Sequence, residues 1–253
     1  MNENCYLGLK TQASELENAT YQHMVSLFRK TPIPDSEILA NMGLYMNRSM
    51  FSRLLTMSEL YRQIVNVHGV VSEFGVRWGQ NLSLFIIMRT LYEPFNFTRR
   101  IIGFDTFEGF PSVSPKDGES EGAVSGAYAV QIGYEQHLDQ VLTAQEALAP
   151  RGHLKRYELV KGDVTITLDE YLTRHPETVF SMIYLDMDIY EPTKHVLEKV
   201  IRRIPKGGII GFDEVCRPEW PGETIALIET LGICNVELCR SPVSGNSCYI
   251  KVQ

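Results

Sequence analysis

Carboxylate residues stand at or near the end of five short apolar stretches, and they are the side chains in this sequence best placed to do chemistry. They are Glu73, Asp105, Asp163, Asp186 and Asp213. A single acidic residue usually belongs to a solvated loop, but five at equivalent places are hard to attribute to scatter. If the stretches are strands of one parallel sheet, all five lie at the carboxyl edge, where open α/β sheets bind ligands.

The last two of these ends carry a denser acidic set. Asp186 is followed two residues later by Asp188, and Asp213 is followed directly by Glu214. Neighbouring strands end ~5 Å apart, so Asp186, Asp213 and Glu214 would converge and raise one another's pKa values. A hard cation such as Mg²⁺ removes that repulsion. We predict a Mg²⁺ site there, with proton sharing or salt bridges to nearby basic residues as the alternative, and Asp188 turned towards the substrate.

The first of these ends runs into a glycine-containing turn, EFGVRWG over residues 73–79, and then a helix. Gly75 and Gly79 can adopt backbone angles closed to other residues, and a helix start offers N–H groups and a positive dipole end. Arg77 replaces the middle glycine of the dinucleotide-binding pattern, which counts against an NAD-linked enzyme. S-adenosylmethionine needs no pyrophosphate cradle, so we favour it, with Asp105 accepting hydrogen bonds from its ribose.

Two carboxylates in the predicted cofactor site keep two interpretations each. Glu73 is either a partner for the methionine ammonium group or a buried orienting residue, and we favour a place in the cofactor site. Asp163, after Gly162, either accepts from the adenine amine or caps the helix that follows; both roles are compatible.

Alternating short apolar runs and helical stretches supply the sheet that these residues need. The predicted strands are Val70–Val76, Ile101–Phe104, Tyr157–Val160, Phe180–Leu185 and Gly208–Phe212. The predicted helices are Leu82–Leu91, Tyr134–Leu148, Thr167–Thr173, Thr193–Ile204 and Thr224–Leu231. This alternation is typical of βαβ units and a parallel sheet. Val236–Arg240 and Ser247–Val252 predict an antiparallel hairpin at the C-terminal side.

The remaining segments are a helical extension and a long loop. We expect residues 1–68 to form a lid or oligomerisation element without strands, with helices over Ser14–Arg29 and Ser49–Val67. Leu16 is among the inward positions that the periodicity predicts for the first of these helices. Residues 69–253 would form the α/β domain. The loop from Pro111 to Gly133 is long enough to be a lid over the site or a flexible connector.

Composition excludes several classes of protein. The net charge of −7, with both signs mixed along 253 residues, argues against nucleic-acid binding. No apolar run reaches the ~20 residues of a membrane span. The N-terminal sequence lacks the features of a secretory signal. Five cysteines without a close Cys-x-x-Cys pair fit reduced thiols, so we expect a cytoplasmic protein.

Four segments together resemble the macrocin O-methyltransferase family. They are EFGVRWG (73–79), DTFEGFP (105–111), DMDIYEPT (186–193) and PKGGIIGFDE (205–214). The resemblance covers about residues 69–216, in order and spacing. It implies a Rossmann-like class I fold with a mostly parallel seven-stranded sheet and a C-terminal antiparallel hairpin. It also implies methylation of sugar hydroxyls with S-adenosylmethionine and Mg²⁺.

The resemblance assigns a role to each candidate residue. Asp186, Asp213 and Glu214 would be the metal ligands and Asp188 the catalytic base. The cofactor would lie against the strand ends and turns at Glu73, Gly75, Gly79, Gln80, Asn81, Asp105, Gly162 and Asp163. The sequence departs from the family pattern in three places: Glu214 where a second aspartate is usual, Gln80 where a second glycine is usual, and a reversed Trp-Arg pair at residues 77–78.

These expectations lead to an S-adenosylmethionine- and Mg²⁺-dependent O-methyltransferase. Its acceptor would be a sugar hydroxyl of a glycosylated natural product or of a nucleotide sugar, and the protein would form a homo-oligomer. The alternatives are a metal-dependent O-methyltransferase of a catechol-like molecule and a non-catalytic nucleotide-binding protein of the same fold. The intact acidic set argues against a non-catalytic protein, because a site that has lost its activity does not need these carboxylates together.

Overall fold

The computed structural model describes residues 13–253, together with the backbone of residues 5–6 and 9–10. Two-residue strands β1 (Cys5–Tyr6) and β2 (Leu9–Lys10) pair antiparallel. The expectation that residues 1–68 lack strands is therefore wrong, because pairs this short leave no alternation in the sequence to detect.

A seven-stranded sheet forms the centre of the described residues. Its strands are β3 (Val70–Phe74), β4 (Ile101–Asp105), β5 (Tyr157–Lys161), β6 (Phe180–Leu185), β7 (Ile209–Phe212), β8 (Leu238–Arg240) and β9 (Cys248–Lys251). Their order is β5-β4-β3-β6-β7-β9-β8, in which the first five are parallel and β9 runs antiparallel to β7 and β8. This confirms the predicted mostly parallel sheet with its C-terminal hairpin.

Strand order reverses between β3 and β6. From β3 the chain moves outward through β4 to β5, then returns to place β6 and β7 on the other side of β3. The carboxyl ends of β3 and β6 therefore flank the crevice in which such sheets bind ligands. Gly75 follows β3 and Asp186 follows β6, so the candidate residues are at the expected place.

Eight α-helices accompany the strands in the described part of the chain. They are α1 (Glu15–Arg29), α2 (Asp35–Ile38), α3 (Arg48–Ile64), α4 (Gln80–Tyr92), α5 (Tyr134–Ala147), α6 (Val164–Arg174), α7 (Tyr190–Val200) and α8 (Pro221–Leu231). Helix α1 begins where its sequence indicates, because the Ser14 and Glu17 side chains form a capping box. None of the helices described is long and apolar enough to cross a membrane.

Apolar side chains cover both faces of the central strands. On β6, Ile183 and Leu185 pack into one core cluster, whereas Met182 and Tyr184 pack into the other. Such alternation arises because successive side chains of a strand point to opposite faces. Burial on both faces explains why these strands have nearly continuous apolar sequences.

The chain divides into two compact units, residues 1–53 and 54–253, and the division falls inside α3. The predicted boundary after residue 68 lies later, whereas in the structure Met57 and Leu60 already belong to the core of the second unit. Helix α1 has no buried residue, and Leu16, predicted to face inward, is 76% exposed. The prediction that Leu16 faces inward is wrong, because an apolar stripe predicts a helix but does not show which element would cover it. A role of this segment in a homo-oligomer stays a prediction.

Candidate functional site

The ends of five parallel strands are aligned by their pairing. Phe74 of β3 is the register partner of Phe104 and of Leu185, and Leu185 is the partner of Phe212. Asp105, Asp186 and Asp213 each come directly after one of these paired residues. The prediction that β6 and β7 are neighbours with adjacent acidic ends is confirmed.

Asp105 holds two loops in place. Its Oδ2 atom accepts hydrogen bonds from the backbone N–H groups of Val76 and Arg77, both at 2.7 Å, and its Oδ1 atom accepts from the N–H of Phe107. Burial raises the pKa of Asp105, while these three donors and the Arg77 charge act to lower it. The side chain therefore has a structural role, and its contact with a ribose stays a prediction.

The fold itself requires glycine at the two positions of the turn that are predicted to contact the cofactor. Gly75 (φ 91°) and Gly79 (φ 78°) both lie in the left-handed region. A Cβ atom on Gly75 would overlap the backbone of Asp186, and one on Gly79 would overlap the side chain of Leu138. Gln80 is the first residue of α4 and is exposed. Close approach of a ligand at these positions stays a prediction.

Polar groups beside this turn fit the amino-acid part of S-adenosylmethionine. Glu73 is buried in β3, between Gly103 and Tyr184 of the adjacent strands. Asn81 is 4% exposed, and its Nδ2 atom donates to Asp186 Oδ2 at 3.4 Å. Its Oδ1 atom is buried without a hydrogen-bond partner among the residues the structure describes. A buried acceptor in that state is costly, and a ligand ammonium group would satisfy it.

Asp163 caps α6. Its Oδ1 atom accepts from the backbone N–H and from the hydroxyl of Thr165, at 2.9 and 2.7 Å. Gly162 has a φ of 135° and donates its N–H to the carbonyl of Asp105 at 2.9 Å. The capping interpretation is confirmed, and a further contact with adenine stays a prediction.

Asp188 lies in a strained turn. Its φ is 63°, and the N–H of Ile189 donates to the carbonyl of Met187 at 2.7 Å across it. A hydrogen bond from residue i+2 to residue i with a positive central φ defines the rare form of the γ-turn. The expected turn after β6 is therefore confirmed, because Asp186 and Asp188 do not continue one extended strand. Strain of this kind persists where the surrounding structure enforces it, often at functional sites.

Asp213 is held by hydroxyl groups from two neighbouring segments. Its Oδ1 atom accepts from Tyr184 Oη of β6 at 2.6 Å and from Ser247 Oγ, which precedes β9, at 3.4 Å. Asp213 is 7% exposed. The C-terminal hairpin thus contributes directly to the orientation of a predicted metal ligand.

Glu223, which the sequence did not single out, lies fully buried near the acidic set. Neither of its carboxyl oxygens has a hydrogen-bond partner in the described part of the chain. Its pKa is raised well above the usual value, first by burial and then by the charges of Asp213, Asp188, Asp186 and Glu214. The four predicted acidic residues therefore act on one region. Pro221 and an acidic residue in the first helical turn are typical of any helix start, so no local pattern distinguishes Glu223.

The long loop from Pro111 to Gly133 lies over this end of the sheet. Phe110 and Tyr128 form ring contacts with Trp220, each at 5.9 Å, and with one another at 5.3 Å. Burial raises the pKa of Tyr128, followed by the charges of Asp188 and Glu214. The aromatic wall formed by Phe110, Tyr128 and Trp220 therefore borders the acidic residues.

One buried residue fastens this loop to α7. Asp117 is 1% exposed, and its two carboxylate oxygens accept from the backbone N–H groups of Ser114 and Tyr190, both at 2.6 Å. Tyr190 is the first residue of α7, two residues after Asp188. The loop is thus connected to the strained turn, a link that local sequence could not reveal.

Comparison with known proteins identifies the family. The sequence model described as Macrocin-O-methyltransferase (TylF) matches residues 45–222. The chain belongs to the macrocin O-methyltransferase family. That range includes all the candidate cofactor residues, the acidic set and Trp220.

Two solved structures are similar to this chain over nearly its whole length. A calicheamicin methyltransferase, CalS11, is 42% identical with a TM-score of 0.92, and the match covers 95% of this chain and 94% of that one. A second structure, described as apo CalS11, TDP-rhamnose 3'-O-methyltransferase, is 39% identical with a TM-score of 0.84 over 95% and 96%.

A curated relative from Streptomyces olivaceus is 30% identical over 152 residues. It is 8-demethyl-8-(2,3-dimethoxy-alpha-L-rhamnosyl)-tetracenomycin-C 4'-O-methyltransferase, and the match covers 58% of this chain and 53% of that protein. The chain thus spans about half the length of this relative.

The acidic set has the donor chemistry that Mg²⁺ prefers, because all its ligating atoms are oxygens. In residues 13–253, however, no group of three or more histidine, cysteine, aspartate or glutamate side chains is arranged to hold a metal ion. The carboxylates of Asp186, Asp213 and Glu214 therefore fit Mg²⁺ by the type of their donor atoms, and the metal site that the sequence predicts stays a prediction.

Proposed function

We propose that this protein transfers the methyl group of S-adenosylmethionine to a hydroxyl group of a sugar, with a nucleotide-linked deoxysugar as the first candidate acceptor. The observation that most directly supports this proposal is the similarity to CalS11 over 95% of the chain. The strained Asp188 beside a crowded acidic set supplies the corresponding chemistry at the β6 and β7 ends.

The cofactor would lie along the ends of β3, β4 and β5. Asp105 and Asp163 would contact its nucleoside part, and Glu73 and Asn81 would contact the amino-acid part. The buried Oδ1 atom of Asn81 supports this assignment because it needs a donor. When bound, S-adenosylmethionine supplies the electrophilic methyl group.

Asp186, Asp213 and Glu214 would hold Mg²⁺, which lowers the pKa of a bound hydroxyl and stabilises developing negative charge. The hydroxyl groups of Tyr184 and Ser247 fix the orientation of Asp213 before any ligand arrives. Positioned ligands of this kind reduce the reorganisation needed during the reaction.

Asp188 would act as the general base. It would remove the proton from the acceptor hydroxyl while that oxygen attacks the methyl carbon, the sulfur–methyl bond breaks and S-adenosylhomocysteine leaves. A positioned base typically contributes 10²–10⁴-fold. The turn at residues 187–189 holds Asp188 away from the path of β6. The aromatic wall would shield the reacting groups from water.

The direct test is methyl transfer from radiolabelled S-adenosylmethionine to a panel of acceptors with and without Mg²⁺. The panel contains dTDP-rhamnose, UDP-glucose, a rhamnosylated aromatic polyketide and a catechol. We expect labelling of a sugar, with dTDP-rhamnose first. Labelling of the catechol alone would contradict the sugar assignment, and cofactor binding without transfer to any acceptor would favour a non-catalytic role.

A further inference from the structure

Arg77 has no role in the proposed reaction. It lies in the turn between Gly75 and Gly79 with a φ of 48°. Its backbone N–H is fixed by Asp105, and its guanidinium carbon stands 4.8 Å from the centre of the Tyr128 ring. The neighbouring Trp78, in contrast, is 43% exposed. The guanidinium carbon also lies 5.9 Å from the centre of the Trp78 ring, so two aromatic side chains flank the cation.

One edge of the Arg77 guanidinium lacks partners. Its Nε and Nη2 atoms are buried, and neither makes a hydrogen bond to any residue that the structure describes. These two nitrogens form the edge that binds a carboxylate or a phosphate through two parallel hydrogen bonds. Leaving charged donors buried and unsatisfied is costly, so this edge is suited to an anionic ligand.

The surroundings locate that edge between two parts of the site. Burial raises the pKa of Asp105, and the Arg77 charge is among the influences that lower it. Burial also raises the pKa of Tyr128, together with Asp188 and Glu214, and the Arg77 charge opposes them. The guanidinium thus lies near the predicted ribose acceptor on one side and the methyl-transfer residues on the other. The sulfonium sulfur of the cofactor, which joins the ribose to the methyl group and also carries the methionine chain, would lie in that interval.

We propose that Arg77 binds the α-carboxylate of the methionine part of S-adenosylmethionine through its Nε and Nη2 edge. This inference rests on the proposed cofactor. The cofactor's carboxylate is favoured over a phosphate of the acceptor because Arg77 belongs to the turn held by Asp105. The interaction would make Arg77 a cofactor-binding residue that pairs with Asn81, one group for the carboxylate and the other for the ammonium.

The test compares two ligands that differ only in the carboxylate. Calorimetry gives the Kd of S-adenosylmethionine and of decarboxylated S-adenosylmethionine for the wild type, Arg77→Gln and Arg77→Lys. Arg151→Gln is the matched control, because Arg151 also has a positive φ, of 61°, and stands 4.8 Å from the ring of Phe97. Thermal unfolding of each variant checks that it is folded.

We expect Arg77→Gln to weaken S-adenosylmethionine ~10–100-fold, the loss typical of hydrogen bonds to a charged group. The Kd of the decarboxylated ligand should change less than about 3-fold. Arg77→Lys should lie between, since it keeps the charge but loses the fork, and Arg151→Gln should match the wild type. If Arg77→Gln does not fold, the Arg77→Lys data decide, with the same preferential loss expected.

Three outcomes would overturn the inference. One is an equal loss for both ligands in the Arg77 variants, and another is no loss for either. The third is an unchanged cofactor Kd with a raised KM for dTDP-rhamnose, which would assign Arg77 to a phosphate of the acceptor. Failure of the proposed function is separate: a wild type that binds neither ligand contradicts the cofactor, whereas selective binding without sugar methylation contradicts only the reaction.

Discussion

The candidate site has two halves, the β4 end and the ends of β6 and β7, and their carboxylates have different surroundings. At the β4 end, three backbone N–H groups surround the Asp105 carboxylate. At the β6 and β7 ends, four acidic residues act on one region, and the fully buried Glu223 near them has no hydrogen-bond donor among the described residues. The same chemical group thus stabilises loops on one side, whereas on the other side the charges of the acidic set help to raise the pKa of Glu223.

This difference shows where ligand binding can do most. A cation stabilises a group of carboxylates that act on one another more than it stabilises a single carboxylate surrounded by hydrogen-bond donors. Repulsion retained in the folded state destabilises the protein but increases its affinity for a cation. We therefore expect metal dependence to be concentrated at the β6 and β7 ends.

Removal of metal should have the largest effect. Exhaustive chelation with EDTA is expected to abolish methyl transfer, with recovery on adding Mg²⁺, because the acidic set would lose its charge compensation. Calorimetry in EDTA should still show S-adenosylmethionine binding with a Kd within about 3-fold, since the β3 and β4 ends do not need the cation. Full activity after chelation would remove the proposed contrast between the halves.

Substitution within the acidic set should separate the base from the ligands. Asp188→Asn is expected to lower kcat ~10²–10⁴-fold with little change in KM, because the proton acceptor is lost. Asp186→Asn should instead raise the Mg²⁺ concentration that gives half-maximal rate. Rate measurements over a Mg²⁺ series test both. Recovery of both variants by excess Mg²⁺ would make Asp188 another ligand.

Substitution of Asp105 at the β4 end should lower the stability of the fold. Asp105→Asn replaces one carboxylate oxygen with an amide nitrogen, which cannot accept a hydrogen bond. Depending on the amide orientation, either the N–H groups of Val76 and Arg77 or the N–H of Phe107 lose their acceptor, which should lower the unfolding free energy by about 1–3 kcal/mol. Urea denaturation measures this loss, and calorimetry should show weaker cofactor binding in parallel. Glu170→Gln, at an exposed position on α6, is the control. Wild-type stability with weaker cofactor binding would mean that Asp105 acts on the ligand alone.

The smallest effect concerns pH. Because the folded-state pKa of Glu223 lies above 4.5, the folded protein keeps this proton while the unfolded chain loses it as pH rises. This group therefore lowers the unfolding free energy as pH increases above about 4.5, by at most ~1.4 kcal/mol per pH unit.

Urea denaturation in EDTA from pH 5 to 7 measures this contribution as a difference between proteins. Glu223→Gln should show a shallower decline in stability with pH than the wild type. Glu198→Gln, at an exposed position on α7, should follow the wild type. Parallel profiles for the wild type and Glu223→Gln would show that Glu223 does not hold its proton in the fold.

Sequence reasoning succeeded where local patterns carry the information. Alternating apolar runs predicted the strands of the sheet, and Asp186 and Asp213 were expected at adjacent ends because parallel strands impose that alignment. The capping role of Asp163 also depends on neighbours in sequence. Such features can be predicted from residues a few positions apart.

The residues that sequence reasoning missed depend on distant contacts. Asp117 acts on Tyr190, 73 positions later, and Tyr128 meets Trp220 across the loop. Glu223 looks like an ordinary helix-start residue until its burial is known. Nothing near Leu16 in the sequence tells whether another element covers it. Each outcome is set by which elements the fold brings together.

The loop from Pro111 to Gly133 is fastened at two points, and this bears on how the acceptor range could be altered. Phe110 exchanges backbone hydrogen bonds with Ala127 and Gly126, closing the neck, and Asp117 ties the inner turn to α7. Residues 119–125 lie between these fastenings. Doubling the length of a flexible loop costs only about 0.6 kcal/mol in closure entropy. Libraries that vary the length and composition of this stretch should therefore yield folded proteins whose acceptor range can be screened, whereas changes at Asp117 would disturb the turn that carries Asp188.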